Sequence, residues 1–425
     1  MGFSNHVFQL DNGLIVLYEE VIESEAFAVG VSIPAGAVWD SDSLSGLAYL
    51  TSEMMNHGAG RYNGHSFFEA LEDIGVCSCT NTSKSSVIFG MKGVCENWKQ
   101  TLELLSLQIL APNFPQSELS ACKQIQLQEI SSMLDDPDVI VSTTFNSIFL
   151  PGRWGRRAIG DRETIDKITI DDVQTFYRSF YRPNGSIIAL VGNQPWKFVR
   201  DEIEKLFGCW SPIKSPNLIF ENSCLSQKHI QSSITQTIFS LGYWDVPAAD
   251  PYYFASLGGI NVLSGGMSSR LFTEVRERRG LCYSVSATHS TLGKKMGFVV
   301  CHCGTTTSNA QESLDLITSE IDRLSVAPIE LGEIERVKIR LKSLIVIQQE
   351  SVWLRVKNLI TEWENYGKVY KYEDKLSKID SLTSKMIEDY YYEHMGKKFC
   401  LVTLGVTPLD FPSERLFQSL EKEGK

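Results

Sequence analysis

The sequence contains a weak internal duplication, and a repeat constrains the fold more than any single motif does. When Gly75 is aligned with Gly280, Cys77 falls opposite Cys282, and in both copies strands followed by an amphipathic helix come next. Each copy then closes with a tyrosine-containing helix and an apolar strand, SIIALVGNQP in the first copy and FCLVTLGVTP in the second. The chain is therefore predicted to fold as two similar units in succession.

The predicted units are residues 1–210 and 231–425, separated by a linker at 211–230 that is rich in Pro, Ser and Asn and has no helical or alternating period. Strands such as AFAVGVSIPAG and SSVIFGMKGV alternate with amphipathic helices. This pattern predicts an α+β fold of two homologous α/β sandwich halves, each with an antiparallel or mixed sheet covered by helices. The long amphipathic stretch 334–367 is predicted to be buried inside its own half, with a partner interface as the alternative.

Charge and composition exclude several classes of partner. The chain has 40 basic and 51 acidic residues, a net charge of -11, which argues against a nucleic-acid partner and mildly favours cationic or neutral peptides. No run approaches the roughly 20 apolar residues of a membrane span, and the N-terminal segment MGFSNHVFQLDNG has no apolar core of secretory length. The ten scattered cysteines are typical of free thiols in a reducing compartment. We expect no nucleic acid, no membrane association and a cytoplasmic location.

The segment LSGGMSSRLFTEVRERRGLCYS, which begins at Leu263, predicts a helix that stops at Gly280 and passes into a strand. Arg276 lies in the closing turns, where a cation suits the negative end of the helix dipole. Tyr283 lies just past the glycine. A guanidinium and a phenol can therefore point into a common space, although a surface arginine beside a half-buried strand tyrosine explains the segment equally simply.

The pair Gly265-Gly266 in the same segment resembles an anion-binding loop at a helix start and makes both glycines weak candidates for substrate binding. The segment lacks the lysine and the spacing of a P-loop. Close backbone packing is therefore the preferred interpretation of the glycines.

The segment GLAYLTSEMMNHG near the N-terminus has apolar residues at helical spacing and places Tyr49, Ser52 and Glu53 on one helix face. Zinc peptidases with the inverted motif H-x-x-E-H have histidine, glutamate and histidine in this arrangement, the histidines as zinc ligands and the glutamate as general base. This chain has neither histidine nor that glutamate.

Together with the Asn-Gly-Leu motif that begins at Asn12, these segments resemble the pitrilysin and mitochondrial processing peptidase family of inverzincins, over nearly the whole chain. The resemblance implies an N-terminal half that bears the zinc site. It also implies a C-terminal half whose arginine and tyrosine bind substrate and stabilise the tetrahedral intermediate. Arg276 and Tyr283 match that second pair residue for residue.

The same resemblance shows that the zinc site of this chain is degenerate. The first-motif positions hold Tyr49, Ser52 and Glu53, while Glu129 falls at the family's third ligand and Cys122 replaces a glutamate one helical stretch earlier. The remaining donors are hard oxygens, which zinc favours less than imidazole or thiolate, and a serine cannot act as the base. We expect no metal and no other cofactor in this chain.

The leading hypothesis is that the chain is the zinc-lacking subunit of a heterodimeric zinc peptidase. Its sister subunit would carry an intact H-x-x-E-H motif with zinc, and Arg276 and Tyr283 would complete that sister's site around a peptide substrate. The alternative is a catalytically inert scaffold or peptide-binding pseudopeptidase, like the core subunits of respiratory complexes that resemble this family. A homodimer stays open as well, because the two-half units of the family often pair.

Overall fold

The computed structural model describes residues 3–214, 227–394 and 398–416. They form two compact units, each discontinuous in the sequence. Unit 1 consists of Met1–Met133, Arg156–Phe220 and Gln348–Thr361, and unit 2 of Leu134–Gly155, Glu221–Ile347 and Glu362–Lys425. The division at 1–210 and 231–425 stays a prediction about the repeat, and most of the predicted linker, residues 215–226, lies outside the described residues.

The strands of the first half of the chain form a six-stranded mixed sheet in the order β1-β2-β8-β3-β7-β6, with a short separate hairpin of β4 and β5. Their bounds are β1 (Phe3–Gln9), β2 (Ile15–Val21), β3 (Ala26–Ile33), β4 (Gly58–Ala59), β5 (Tyr62–Asn63), β6 (Cys77–Thr82), β7 (Val87–Val94) and β8 (Ile187–Gly192). The helices of this part of the chain are α1 (Leu47–Met54), α2 (Gly64–Glu72), α3 (Trp98–Leu110), α4 (Leu119–Leu134), α5 (Pro137–Phe149), α6 (Arg162–Ile165), α7 (Ile170–Phe180) and α8 (Trp196–Phe207).

The strands of the second half form a five-stranded mixed sheet in the order β11-β12-β10-β13-β9. Their bounds are β9 (Gln227–Gln231), β10 (Gln236–Asp245), β11 (Cys282–Leu292), β12 (Met296–Thr306) and β13 (Cys400–Gly405). The helices are α9 (Tyr253–Ser264), a π-helix at Phe272–Arg278, α10 (Ala310–Val326), α11 (Leu331–Gln348), α12 (Val352–Tyr366), α13 (Tyr372–Asp380) and α14 (Ser384–His394). In the described part of the chain, no helix is long and apolar enough to cross a bilayer. The cytoplasmic location stays a prediction.

The two sheets have the same connectivity, which confirms the predicted fold class of two homologous α/β halves. The strand order β6-β7-β3-β8-β2 of the first sheet corresponds to the order β11-β12-β10-β13-β9 of the second sheet. In each sheet, the last two strands of this series pair in parallel. Gly75 and Gly280, which the repeat aligns, both have left-handed backbone conformations, with φ of 65° and 60°. Each lies two residues before its edge strand, so the repeat places the same glycine turn at the same point of both sheets.

Each unit contains a helix from the other half of the sequence. In unit 1, Gly30 and Gly90 leave the face of the sheet open for the ring of Trp353 on α12, which a Cβ on either glycine would crowd. In unit 2, Gly242 leaves room in the same way for the ring of Phe145 on α5. The prediction that the stretch 334–367 is buried inside its own half is therefore wrong for α12, whose first ten residues belong to unit 1.

A buried ion pair fixes α12 within unit 1, and this pair yields a testable prediction. Nη1 of Arg355 lies 2.7 Å from Oε1 of Glu19 on β2, and both side chains are almost fully buried. Breaking a buried pair by removing one partner leaves an uncompensated charge, which costs about 3–5 kcal/mol. We expect Arg355→Met to lower the free energy of unfolding by that amount in a urea titration.

The control is Lys342→Met, which breaks a largely exposed ion pair with Asp380 in unit 2. Exposed pairs contribute about 0–1 kcal/mol. Equal effects of the two substitutions would show that α12 is not anchored by its buried charge.

Candidate functional site

The helix that carries the degenerate zinc motif is held at its start by a buried carboxylate. The side chain of Asp40 accepts hydrogen bonds from the backbone N–H groups of Gly46 (2.7 Å) and Ala48 (2.8 Å) at the beginning of α1. Burial raises the pKa of Asp40 to about 7, although these hydrogen bonds oppose the shift. Gly46 has a φ of 95°, and a Cβ there would lie 2.8 Å from the carbonyl oxygen of Ile159. The position and direction of α1 are therefore fixed by its first turn.

Two of the predicted motif positions meet directly. The phenol of Tyr49 on α1 donates a hydrogen bond of 2.6 Å to Oε2 of Glu129 on α4. Glu53 follows Tyr49 by one helical turn, is half-buried, and accepts a hydrogen bond of 3.4 Å from Asn56. Tyr49, Glu53 and Glu129 thus converge on one place in unit 1.

Ser52, at the position of the family's catalytic base, is turned away from this place. It is fully buried, its hydroxyl donates to the backbone oxygen of Tyr49 at 2.8 Å, and it lies 2.7 Å from the hydroxyl of Thr82 on β6. An aliphatic hydroxyl held in this way has neither the basicity nor the access to activate a water molecule.

The protonation of the site argues against zinc. Burial raises the pKa of the Tyr49 phenol well above its usual range, and the hydrogen bond to Glu129 and the nearby carboxylates add to the effect. Burial also raises the pKa of Glu53, with a smaller contribution from Glu129 that the hydrogen bond from Asn56 opposes. The pKa of the Cys122 thiol rises to about 11, again mainly through burial.

Zinc ligands must be deprotonated, so zinc would have to displace the proton of the Tyr49 phenol, which is hydrogen-bonded to the carboxylate at the third ligand position. The other donors are hard oxygens, which zinc favours less than imidazole or thiolate. The donor set therefore does not fit the metal. Within residues 3–214, 227–394 and 398–416, no group of three His, Cys, Asp or Glu side chains is placed to hold a metal ion.

The sequence analysis missed the polar side chains that support the motif helix from the sheet. Oδ1 of Asn56 accepts hydrogen bonds from Thr80 on β6 (3.1 Å) and from Gln108 on α3 (2.8 Å). Thr80 and Thr82 lie two residues apart in CSCTNT, so their side chains share a face of β6. The alternation of these threonines along the strand was the sequence signal that could have indicated a contact between β6 and the helix of the degenerate zinc motif.

Arg276 and Tyr283 lie in contact in unit 2. Gly280, with a φ of 60°, ends the π-helix, and the N–H of Leu281 closes the turn on the carbonyl oxygen of Val275 at 2.9 Å. The guanidinium carbon of Arg276 then lies 5.3 Å from the centroid of the Tyr283 ring and 4.7 Å from that of Phe272. The cation is stacked on both rings.

Neither member of the pair is packed into the core. Tyr283 is 84% exposed, so the interpretation as a half-buried strand tyrosine is wrong. Within the described part of the chain, its hydroxyl has no hydrogen-bond partner and Arg276 has no ion pair. Both polar groups are available to a ligand or partner.

Gly265 and Gly266 lie at the end of a helix rather than at its start. Gly265 is the C-terminal cap of α9, and its N–H donates to the carbonyl oxygen of Asn261 at 2.7 Å. Gly266 has a φ of 154°, and a Cβ there would lie 3.1 Å from Nη1 of Arg340. The glycines thus permit a close approach of loop and side chain, but the loop does not have the helix-start geometry that the sequence suggested.

Two sequence models of one peptidase family match most of the chain. The model described as insulinase (peptidase family M16) matches residues 15–152, and the model described as the peptidase M16 inactive domain matches residues 167–341. The chain belongs to peptidase family M16. The predicted family resemblance is confirmed at this level, while the roles of Arg276 and Tyr283 stay predictions.

Individual relatives are distant but extend over nearly the whole chain. A protein of Bacillus subtilis named uncharacterized zinc protease YmxG is 25% identical over 346 residues, which cover 81% of this chain and 84% of the relative. The crystal structure of a peptidase M16 inactive domain from Pseudomonas fluorescens superposes with a TM-score of 0.86 at 21% identity, over 96% of this chain and 99% of that one. A protease structure from Helicobacter pylori gives a TM-score of 0.84 at 18% identity, over 94% and 99% of the two chains. The two structures support the M16 fold.

Proposed function

We propose that this chain is the zinc-lacking subunit of a heterodimeric M16 metallopeptidase. It supplies Arg276 and Tyr283 for substrate binding and transition-state stabilisation, and a sister subunit with an intact H-x-x-E-H motif holds the zinc and activates the water. The observation that carries the proposal is the contrast between the two sites. The motif site has a donor set that does not fit zinc, whereas the arginine and tyrosine are exposed, in contact and without partners in the described residues.

The chemistry of the pair suits the intermediate of peptide hydrolysis. Attack of water on a peptide carbonyl creates an oxyanion, and a phenol O–H and a guanidinium both donate hydrogen bonds to such a group. Stacking on Phe272 and Tyr283 restricts the guanidinium before substrate arrives. Donors held in place this way need little reorganisation during the reaction, which is the condition for a large catalytic effect.

The sheet edges support a peptide as substrate. Both β6, which contacts the motif helix, and β11, which carries Tyr283, are edge strands of their sheets. An edge strand presents unpaired backbone N–H and C=O groups, and an extended peptide can add to it as a further strand. Addition of this kind recognises backbone rather than sequence, so it suits an unfolded peptide.

Mixing the chain with its sister tests the proposal. Neither protein alone is expected to cleave an unfolded peptide efficiently. The mixture is expected to cleave it in a zinc-dependent way, with activity saturating at one copy of each chain. A stable complex that cleaves nothing would favour the inert scaffold or peptide-binding pseudopeptidase instead. Full activity of the sister without this chain, or activity of a homodimer of this chain, would refute the proposed division of labour.

A further inference from the structure

A small pocket in unit 2 has the chemistry of an anion site, and it is independent of the peptidase proposal. It has a volume of about 40 Å³ and lies between the end of α9 and the first turns of α11. The loop side contributes Gly265, Gly266, Ser268 and Ser269, and the α11 side contributes arginine side chains. A space of this size holds a few water molecules or one small polar group.

Arg336 and Arg340 line the pocket from α11, one helical turn apart. In residues 3–214, 227–394 and 398–416, neither guanidinium has an ion pair or a hydrogen-bond acceptor. The neighbouring lysines of the same helix differ, because Lys338 pairs with Glu335 and Lys342 pairs with Asp380. Both side chains are exposed, and two like charges at this spacing repel each other on a helix, so the two guanidinium groups are free to take up an anion.

Glu333, the acidic residue of the pocket, does not neutralise Arg336 and Arg340. Both carboxylate oxygens of Glu333 are engaged by the guanidinium of Arg270, at 2.7 and 2.8 Å, and one also accepts from the N–H of Glu330. Glu333 and Arg270 therefore largely cancel each other, although the nearby charge of Arg336 also acts on Glu333. The end of α9 contributes only about half a negative charge, which leaves the pocket net positive.

The loop side offers hydroxyl groups at the same place. Ser269 is 93% buried (7% exposed) and lines the pocket, and its hydroxyl has no hydrogen-bond partner in the part of the chain that the structure describes. The hydroxyl oxygen itself is not fully buried, so it can donate to a group in the pocket. Ser268 lines the pocket beside it, and Gly266 lets the Arg340 guanidinium lie against the loop. Two guanidinium groups and two hydroxyl groups thus surround one small space.

We propose that this pocket binds a phosphoryl group. A phosphate near neutral pH carries a charge of roughly −1.5 to −2, which matches two uncompensated guanidinium groups, whereas a carboxylate leaves one of them unpaired. Phosphate oxygens also accept several hydrogen bonds at once, as the arginines and serines require. The ligand is a free phosphate or a phosphorylated small molecule.

Calorimetric titration of the purified full-length chain tests the site, with inorganic phosphate, pyrophosphate and acetate as probes at constant ionic strength. Phosphate and pyrophosphate should bind, and acetate should bind much more weakly. Arg336→Gln and Arg340→Gln should each weaken phosphate binding about tenfold or more, since each removes charged hydrogen bonds. Ser269→Ala should weaken it less.

The matched controls are Lys338→Gln and Lys342→Gln, which remove the same charge from the same helix outside the pocket. They should change phosphate affinity by no more than about twofold, because salt screens exposed charges at this range. The proposal is overturned if phosphate does not bind the native chain, if the lysine variants lose as much affinity as the arginine variants, or if acetate binds as tightly as phosphate. A difference between phosphate and pyrophosphate distinguishes a single-phosphate ligand from a longer one.

Discussion

Replacing Tyr283 by phenylalanine is expected to lower kcat/KM for peptide cleavage by the assembled peptidase about 100-fold or more, and Arg276→Ala at least as much. Removing one preorganised donor to an oxyanion typically reduces the rate by about 10²–10³. Tyr283→Phe removes a single hydroxyl that is exposed and unpartnered in the described chain, so folding should not change. The loss should appear mainly in kcat, because the hydrogen bond forms with the oxyanion and not with the substrate carbonyl.

Matched controls for this prediction are also in unit 2. Arg278 is an exposed arginine of the same π-helix that pairs with Glu274 at 2.6 Å, and Tyr392 on α14 is 76% exposed. Arg278→Ala and Tyr392→Phe should leave cleavage within a factor of about two, since neither contributes a free donor at the site. If the complex with Tyr283→Phe and Arg276→Ala cleaves at the native rate, the pair has no catalytic role.

The second large effect is the restoration of zinc binding in unit 1. Tyr49→His with Glu53→His supplies two imidazole ligands one helical turn apart, and the contact between Tyr49 and Glu129 shows that the third ligand already reaches this place. Ser52 is not a ligand position and is fully buried, so it is left unchanged to avoid burying a new carboxylate. We expect the double variant to bind zinc more than about 100-fold more tightly than the native chain, because imidazole nitrogens replace a protonated phenol and a hard oxygen.

A third substitution makes this experiment specific. Adding Glu129→Gln to the double variant should remove most of the gained affinity, because a neutral amide is a poor zinc ligand. Tyr49→Phe with Glu53→Gln, which keeps the shapes and removes the donors, should bind no zinc. If the zinc affinity of the double variant does not depend on Glu129, then α1 and α4 do not place the three family ligand positions around one metal ion.

Most of the fold was predicted from the repeat, because the sequence signals of the repeat depend on local backbone chemistry. Gly75 and Gly280 adopt left-handed backbone conformations that residues with side chains disfavour. The position of each glycine in the sequence therefore predicts a turn before the strand that follows it. Thr169 caps α7, and Thr383 accepts from the N–H of Met386 in the first turn of α14, so the two closing helices of the repeat begin in a similar way. The formation of helix caps and turns depends on residues that are close together in the sequence.

The exchange of α5 and α12 between the two units could not be predicted in that way. A hydrophobic stripe shows that a helix needs an apolar surface, but not which sheet supplies it. The choice depends on glycines in strands far away, such as Gly90, which only the folded sheet places beneath Trp353. The same limit applies to the site. The resemblance located Tyr49 and Glu129, but it could not show that their side chains hydrogen bond to each other or that Ser52 is turned into the core.

The most direct test of the central claim is the zinc content of the native chain after incubation with excess zinc and desalting, measured by elemental analysis against protein concentration. If the chemistry of water activation belongs to the sister subunit, the purified chain should hold far less than one zinc per molecule, and its complex with the sister should hold one per heterodimer. One zinc per molecule of the native chain alone, lost on Glu129→Gln, would contradict the account.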